Sequence, residues 1–193
     1  MKTPDPQDRA LVVVLPERIC AQIDIWRQAY DPNHGIMPPH ITVAYPPFVP
    51  EKQWRGLRPV VGQCLGELGP FEVVLQGLGV FETDECVLWL RVEDGGQLAR
   101  VRASLMHCLP QYVPPLPFEY VPHVTLGVFD SPSALKTAML AMGDQPRPQR
   151  FAVRRLSYLS PDENGVWSVC SHVPLGIGNE KPANHTPSAC GGQ

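Results

Sequence analysis

The sequence predicts an α+β protein of two pseudo-symmetric lobes, each a mostly antiparallel sheet with outer helices, around a central cleft. Three observations lead there. One pattern occurs twice, as Pro39-His40-Ile41-Thr42-Val43-Ala44 and as Pro122-His123-Val124-Thr125-Leu126-Gly127. Around each copy the periodicity of apolar residues runs in one order: strand, helix, pattern-bearing strand, helix, strand. The chain, 193 residues with 44% hydrophobic and 18% charged, is long enough for one domain with a substantial core. A single bilobal domain is expected over residues 1–177, followed by a polar tail, 178–193, with the composition of a disordered segment.

The elements follow in order. The β-branched run Leu11-Val12-Val13-Val14-Leu15 reads as a short buried strand. Ile19, Ile23, Trp26 and Tyr30 recur at helical spacing and predict a helix over 17–30, and a loop over 31–38 leads to the first pattern strand. Pro46-Pro47 ends that strand. Trp54, Leu57, Val61, Leu65 and Leu68 predict a helix over 51–68, followed by a strand over 71–80. The second half opens with a strand over 86–92 and a turn at Asp94-Gly95-Gly96. A helix over 97–109 presents Leu98, Val101, Leu105 and Leu109 on one face, and a proline-rich loop over 110–117 precedes the second pattern. Ser131-Pro132 marks a helix start with proline in the first turn. Two last strands, 151–159 and 166–173, flank an Asn164-Gly165 hairpin turn.

Composition excludes several function classes. With 16 basic against 19 acidic residues the chain lacks the charge to grip an extended nucleic acid through many phosphates. Arg147, Arg150, Arg154 and Arg155 form a local basic run, readable as a solvated face or as a phosphate contact. No apolar stretch has the length to span a bilayer, and the start lacks the apolar core of a secretion signal, so a cytoplasmic monomer is expected. The cysteines at 20, 64, 86, 108, 170 and 190 show no Cys-x-x-Cys pair or Cys/His cluster. Most read as small core residues, Cys190 as an exposed thiol, and neither a metal nor a cofactor is expected.

Strand parity turns the repeat into chemistry. Residues i, i+2 and i+4 share a face, so His40, Thr42 and Ala44 line one face and Ile41, Val43 and Tyr45 the other. His123, Thr125 and Gly127 likewise oppose Val124, Leu126 and Val128. Each polar face carries an imidazole, a hydroxyl and then a small residue that leaves room beside them. In-line displacement at phosphorus puts the attacking and departing oxygens on opposite sides. Two histidines across a cleft suit it: one takes a proton from the nucleophile, the other gives one to the leaving oxygen. The threonine hydroxyls can bond the non-bridging oxygens as their charge develops. His34, His107 and His172 read as surface or structural groups. Phe48, Tyr120 and Phe129 are the aromatic residues near enough to the patterns to be considered for base stacking.

The paired Pro39-His40-Ile41-Thr42 and Pro122-His123-Val124-Thr125 resemble the motifs of the two-histidine (2H) phosphoesterase superfamily, most nearly its 2′-5′ RNA ligase-like and cyclic phosphodiesterase branch. The likeness extends over residues 10–177 and includes the closing Gly165-Val166-Trp167 and Pro174-Leu175-Gly176. It implies a phosphodiesterase that needs no metal and acts on 2′,3′-cyclic phosphates or 2′-5′ linkages of a nucleotide or RNA end. It implies His40 and His123 as acid and base, in an order left open, with Thr42 and Thr125 binding the phosphate. Some members carry an arginine or lysine shortly after the second motif, where this chain has Val128 and Phe129. Phosphate binding would then rest on the threonines, Arg155 or another residue. Reversible 2′-5′ RNA ligation and a non-catalytic nucleotide-binding module are the alternative readings.

Overall fold

Each His-x-Thr segment lies on the edge strand of its own sheet. In the computed structural model, which describes residues 8–82 and 85–176, the order is β1 (Ala10–Val14), α1 (Glu17–Tyr30), β2 (His40–Ala44), α2 (Glu51–Cys64), β3 (Phe71–Glu82) and β4 (Cys86–Glu93). It continues with α3 (Gln97–Cys108), β5 (His123–Phe129), α4 (Pro132–Met142), β6 (Gln149–Val153), β7 (Arg155–Pro161) and β8 (Trp167–Pro174). The expected tail over 178–193, Cys190 included, lies outside the described residues. Among those described, no helix is long and apolar enough to cross a membrane.

The strands form two antiparallel four-stranded sheets, ordered β2-β1-β7-β8 and β5-β4-β3-β6. In both, the pattern strand pairs with the strand before it in the chain. The α+β architecture and the pseudo-symmetry thus hold, and two details differ from the periodicity. β3 does not stay with β1 and β2; it joins β4 through a short connection, which carries little loop-closure entropy. The segment expected as one strand over 151–159 is two, divided at Arg154, with β6 in one sheet and β7 in the other. Leu175 N–H donates to the Arg154 carbonyl at 2.9 Å, which satisfies the crossing. Apolar alternation reports which face a residue occupies, not which sheet, so neither detail is visible in it.

One continuous core joins the sheets. Leu11, Val13, Ile41 and Val43 meet Leu88, Leu90, Val124 and Leu126, with helical residues such as Ile19, Ile23, Leu98 and Leu105 packed among them. Full burial of each such side chain contributes about 1.5–3 kcal/mol. The helices cross between halves: α1, which follows β1, packs against β5, and α3, which follows β4, packs against β2. The cysteines correct one expectation. Cys64 and Cys108, at the ends of α2 and α3, form a disulfide, while Cys20 is half-buried, Cys86 buried and Cys170 exposed.

Candidate active site

The two histidines are held alike. His40 Nδ1 lies 2.8 Å from the Pro38 carbonyl oxygen, and His123 Nδ1 lies 2.7 Å from the Val121 carbonyl oxygen. A carbonyl only accepts, so Nδ1 carries the proton in both rings and Nε2 is the atom left for chemistry. In each case the carbonyl belongs to the residue two before the histidine, the one that precedes the proline. The proline thus has a part beyond starting the strand: it aims the carbonyl of the residue before it at the ring.

The halves meet at these residues. β2 and β5 are in contact, and His40 and Thr125 line one small cavity with Arg27, Asp31 and Met37. Burial pushes His40 down to about 4, the charges of Arg27 and His123 push the same way, and the Pro38 carbonyl and Asp31 oppose them. Burial also lowers His123, against the Val121 carbonyl. Both shifts favour the neutral imidazole, more strongly at His40, which is the harder to protonate. Neither threonine hydroxyl has a protein partner among the described residues, while the Thr42 carbonyl accepts from Tyr120 Oη at 2.8 Å.

The small residue after each motif serves packing rather than ligand space. Ala44 is fully buried in the core. A Cβ on Gly127 would stand 2.6 Å from Tyr30 Cβ and 3.0 Å from the Tyr30 carbonyl oxygen. Gly127 is what lets the end of α1 close onto β5, and so brings the loop that leads to His40 towards Thr125.

Residues that the sequence reading passed over surround the pair. Arg27, 3% exposed, donates from Nε to Asp31 Oδ2 at 2.8 Å and from Nη2 to the Met37 carbonyl at 2.7 Å. A signal existed: Arg27 follows Ile19 and Ile23 at four-residue spacing, an arginine in a core register. On the other side, the Phe81 ring stands edge-on to His123 at 5.0 Å and stacks on Trp89 at 4.8 Å. Trp89 lies opposite Gly79, where any Cβ would collide with the indole. Its Nε1 is buried without a partner among the described residues. Of the aromatics considered for stacking, Phe48 is core, Phe129 packs on Tyr30 at 5.5 Å, and Tyr120 is engaged at Thr42. His34 and His107 are exposed, and His172 pairs with Ser157 at 3.0 Å.

Known proteins resemble this chain in sequence and in fold. The family model of the 2′-5′ RNA ligase superfamily matches residues 15–165. A Bacillus cereus protein provisionally named a phosphoesterase is 27% identical over 171 residues, covering 87% of this chain and 97% of its own. One from Geobacillus kaustophilus, named in the same way, is 28% identical over 162 residues, covering 82% and 91%. Among solved structures, Escherichia coli LigT complexed with 3′-AMP superposes with a TM-score of 0.61 at 18% identity, covering 89% of this chain and 99% of that one. TT0787 of Thermus thermophilus gives 0.59 at 22%, covering 88% and 98%. With a matched family model across most of its length and two mirrored His-x-Thr strands meeting at one cavity, the chain belongs to the 2′-5′ RNA ligase superfamily of two-histidine phosphoesterases.

Proposed function

We propose that the protein is a phosphodiesterase that hydrolyses a 2′,3′-cyclic phosphate or a 2′-5′ phosphodiester of a nucleotide or RNA end, by acid/base catalysis between His40 and His123. The observation that carries the reading is the mirrored locking of the two imidazoles, each with Nδ1–H on a carbonyl. A binding module has no use for two rings fixed in the tautomer that frees Nε2. The relatives named as phosphoesterases support it, as do the LigT structures, solved with 3′-AMP, ATP and NADP+.

His40, beside the Arg27 guanidinium and the harder to protonate, acts as base. Its Nε2 takes a proton from water as the water oxygen attacks phosphorus. His123, protonated at Nε2, gives its proton to the departing ribose oxygen as that P–O bond breaks. Thr42 and Thr125 donate hydroxyl hydrogens to the non-bridging oxygens. Two imidazoles and two hydroxyls complete the proton balance, so the scheme calls for no metal or cofactor. Ligation is the same scheme reversed. The reading includes a monomer in the cytoplasm. Cysteines are kept reduced there, so the thiol state of Cys64 and Cys108 in rapidly alkylated lysate tests that part.

The deciding assay presents 2′,3′-cyclic nucleotides and 2′-5′-linked dinucleotides in EDTA. Turnover should fall about 10²–10⁴-fold in His40→Ala and in His123→Ala, with Thr42→Val and Thr125→Val lowering kcat more than they raise KM. Nucleotide binding without turnover, indifferent to both histidine variants, would establish the binding module instead. Joining of RNA ends outpacing hydrolysis would establish the ligase.

A further inference from the structure

The cleft face of the first sheet continues past His40. Val14 of β1 stands opposite His40, and Val12 stands opposite both Thr42 and Ser157 of β7. Ser157 in turn stands opposite His172 of β8. Arg155, two residues before Ser157, shares its face by strand parity. Thr42, Val12, Ser157 and His172 thus form one row across the sheet. The pairing of β1 with β7 ends at Val12 and Ser157, and extending its register by two residues brings Arg155 level with Val14 and His40 in the next row. With strands about 4.8 Å apart, Arg155 stands about 10 Å from His40 along its row.

This face lines a cavity of about 580 Å³ that includes Val14, Arg155, Ser157, Val169 and His172. Its polar groups are a built arrangement. Ser157 is 3% exposed and its Oγ lies 3.0 Å from His172 Nδ1, which orients the ring. Arg155 is exposed and carries no ion pair among the described residues, and its charge reaches His172. Arg154 also lines the cavity, and Glu17 supplies the one carboxylate of its lining. Two guanidiniums against one carboxylate leave the cavity net positive in a chain whose formal net charge is -3.

We propose that this cavity is a second anion subsite, in which Arg155 and the His172–Ser157 pair hold a further phosphate of the ligand whose reacting phosphodiester lies between His40 and His123. The inference rests on the function proposed above and deepens it. The substrate class becomes a nucleotide carrying a phosphate one ribose away from the reacting one. Val14, between His40 and Arg155, gives the intervening sugar an apolar floor. The same subsite accounts for the missing cation after the second motif: the charge that the chain lacks at Val128 and Phe129 is supplied from β7.

Calorimetry of the intact protein with adenosine 3′,5′-bisphosphate and with adenosine 3′-monophosphate tests this without depending on turnover. The bisphosphate should bind about tenfold more tightly or better, the scale of a hydrogen-bonded charge contact. Arg155→Gln should cut that preference to within about twofold and leave the monophosphate affinity unchanged. Equal affinities in the wild type, or a preference that survives Arg155→Gln, would overturn the subsite. A preference lost in Arg155→Gln with no hydrolysis of any cyclic phosphate would uphold the subsite and sink the phosphodiesterase reading; hydrolysis with no preference would do the reverse. A dinucleotide 3′-phosphate without a 5′-phosphate distinguishes the sources. Affinity matching the bisphosphate assigns the subsite to the internucleotide phosphodiester of an RNA end, and affinity matching the monophosphate assigns it to a terminal 5′-phosphate.

Discussion

Replacing Arg27 with methionine keeps the packing volume and strips a buried carboxylate of its cation. Arg27 and Asp31 are 3% and 6% exposed. The guanidinium donates to Asp31 Oδ2 at 2.8 Å, to Asp24 Oδ1 at 3.1 Å and to the Met37 carbonyl at 2.7 Å. Breaking a buried pair from one side costs about 3–5 kcal/mol, because the remaining charge is left without compensation. Asp31 keeps the Asn33 N–H at 2.9 Å, which places Arg27→Met near the lower end, about 3 kcal/mol. Arg27→Met with Asp31→Asn leaves no buried charge and should cost about 1–2 kcal/mol, less than the single change. Urea unfolding of both single variants and the double variant closes the cycle. Activity separates a second role. The bond to Met37 steadies the chain just before Pro38, whose carbonyl fixes His40, and the double variant does not restore that bond. Stability should recover in the double variant while kcat/KM stays low. A single-variant loss under about 1 kcal/mol, additive costs, or activity that returns with stability would each refute the reasoning.

Acid should weaken the fold through His40. Its folded value of about 4 lies below the ordinary 6.5, so between those values the unfolded chain binds more protons and stability falls as pH drops. The contribution, complete above 6.5 and gone below 4, is about 3 kcal/mol, and urea midpoints from pH 7 to 4 should fall less steeply in His40→Asn. Gly127→Ala should destabilise by about 1–3 kcal/mol, because the new methyl meets Tyr30 of α1. Gly56→Ala in α2, where the added Cβ has nothing within 4 Å, should be neutral or slightly stabilising by thermal denaturation. Cys64→Ser with Cys108→Ser removes a link across 44 residues of sequence and should lower stability by about 2–4 kcal/mol; mass spectrometry under non-reducing conditions checks the bond itself.

The parts of this protein that the letters disclose are those in which one element decides the outcome alone. His40 and Thr42 share a face because the strand period is two, and the ends of α1 follow from Ile19, Ile23 and the exit at Asp31. What stayed hidden depends on two elements at once. Cys64 and Cys108 meet only because α2 lies against α3, and β3 changes sheets because its hairpin partner competes with β1. Phe81 and Trp89 reach His123 across three neighbouring strands. Gly127 looks the same in sequence whether it makes space for a ligand or for Tyr30. This division bears on the chemistry. Each His-x-Thr strand carries its own tautomer lock, so reactivity is written locally, twice. The separation of the two imidazoles is written in neither motif. It is set where α1 of one half seats on β5 of the other, through Tyr30 on Gly127 and through Arg27, which ties the end of that helix to the loop entering His40. Substitutions at Gly127 or Arg27 should therefore change how well the two histidines work together while leaving each ring's own hydrogen bond in place, an effect that altering either motif alone cannot reproduce.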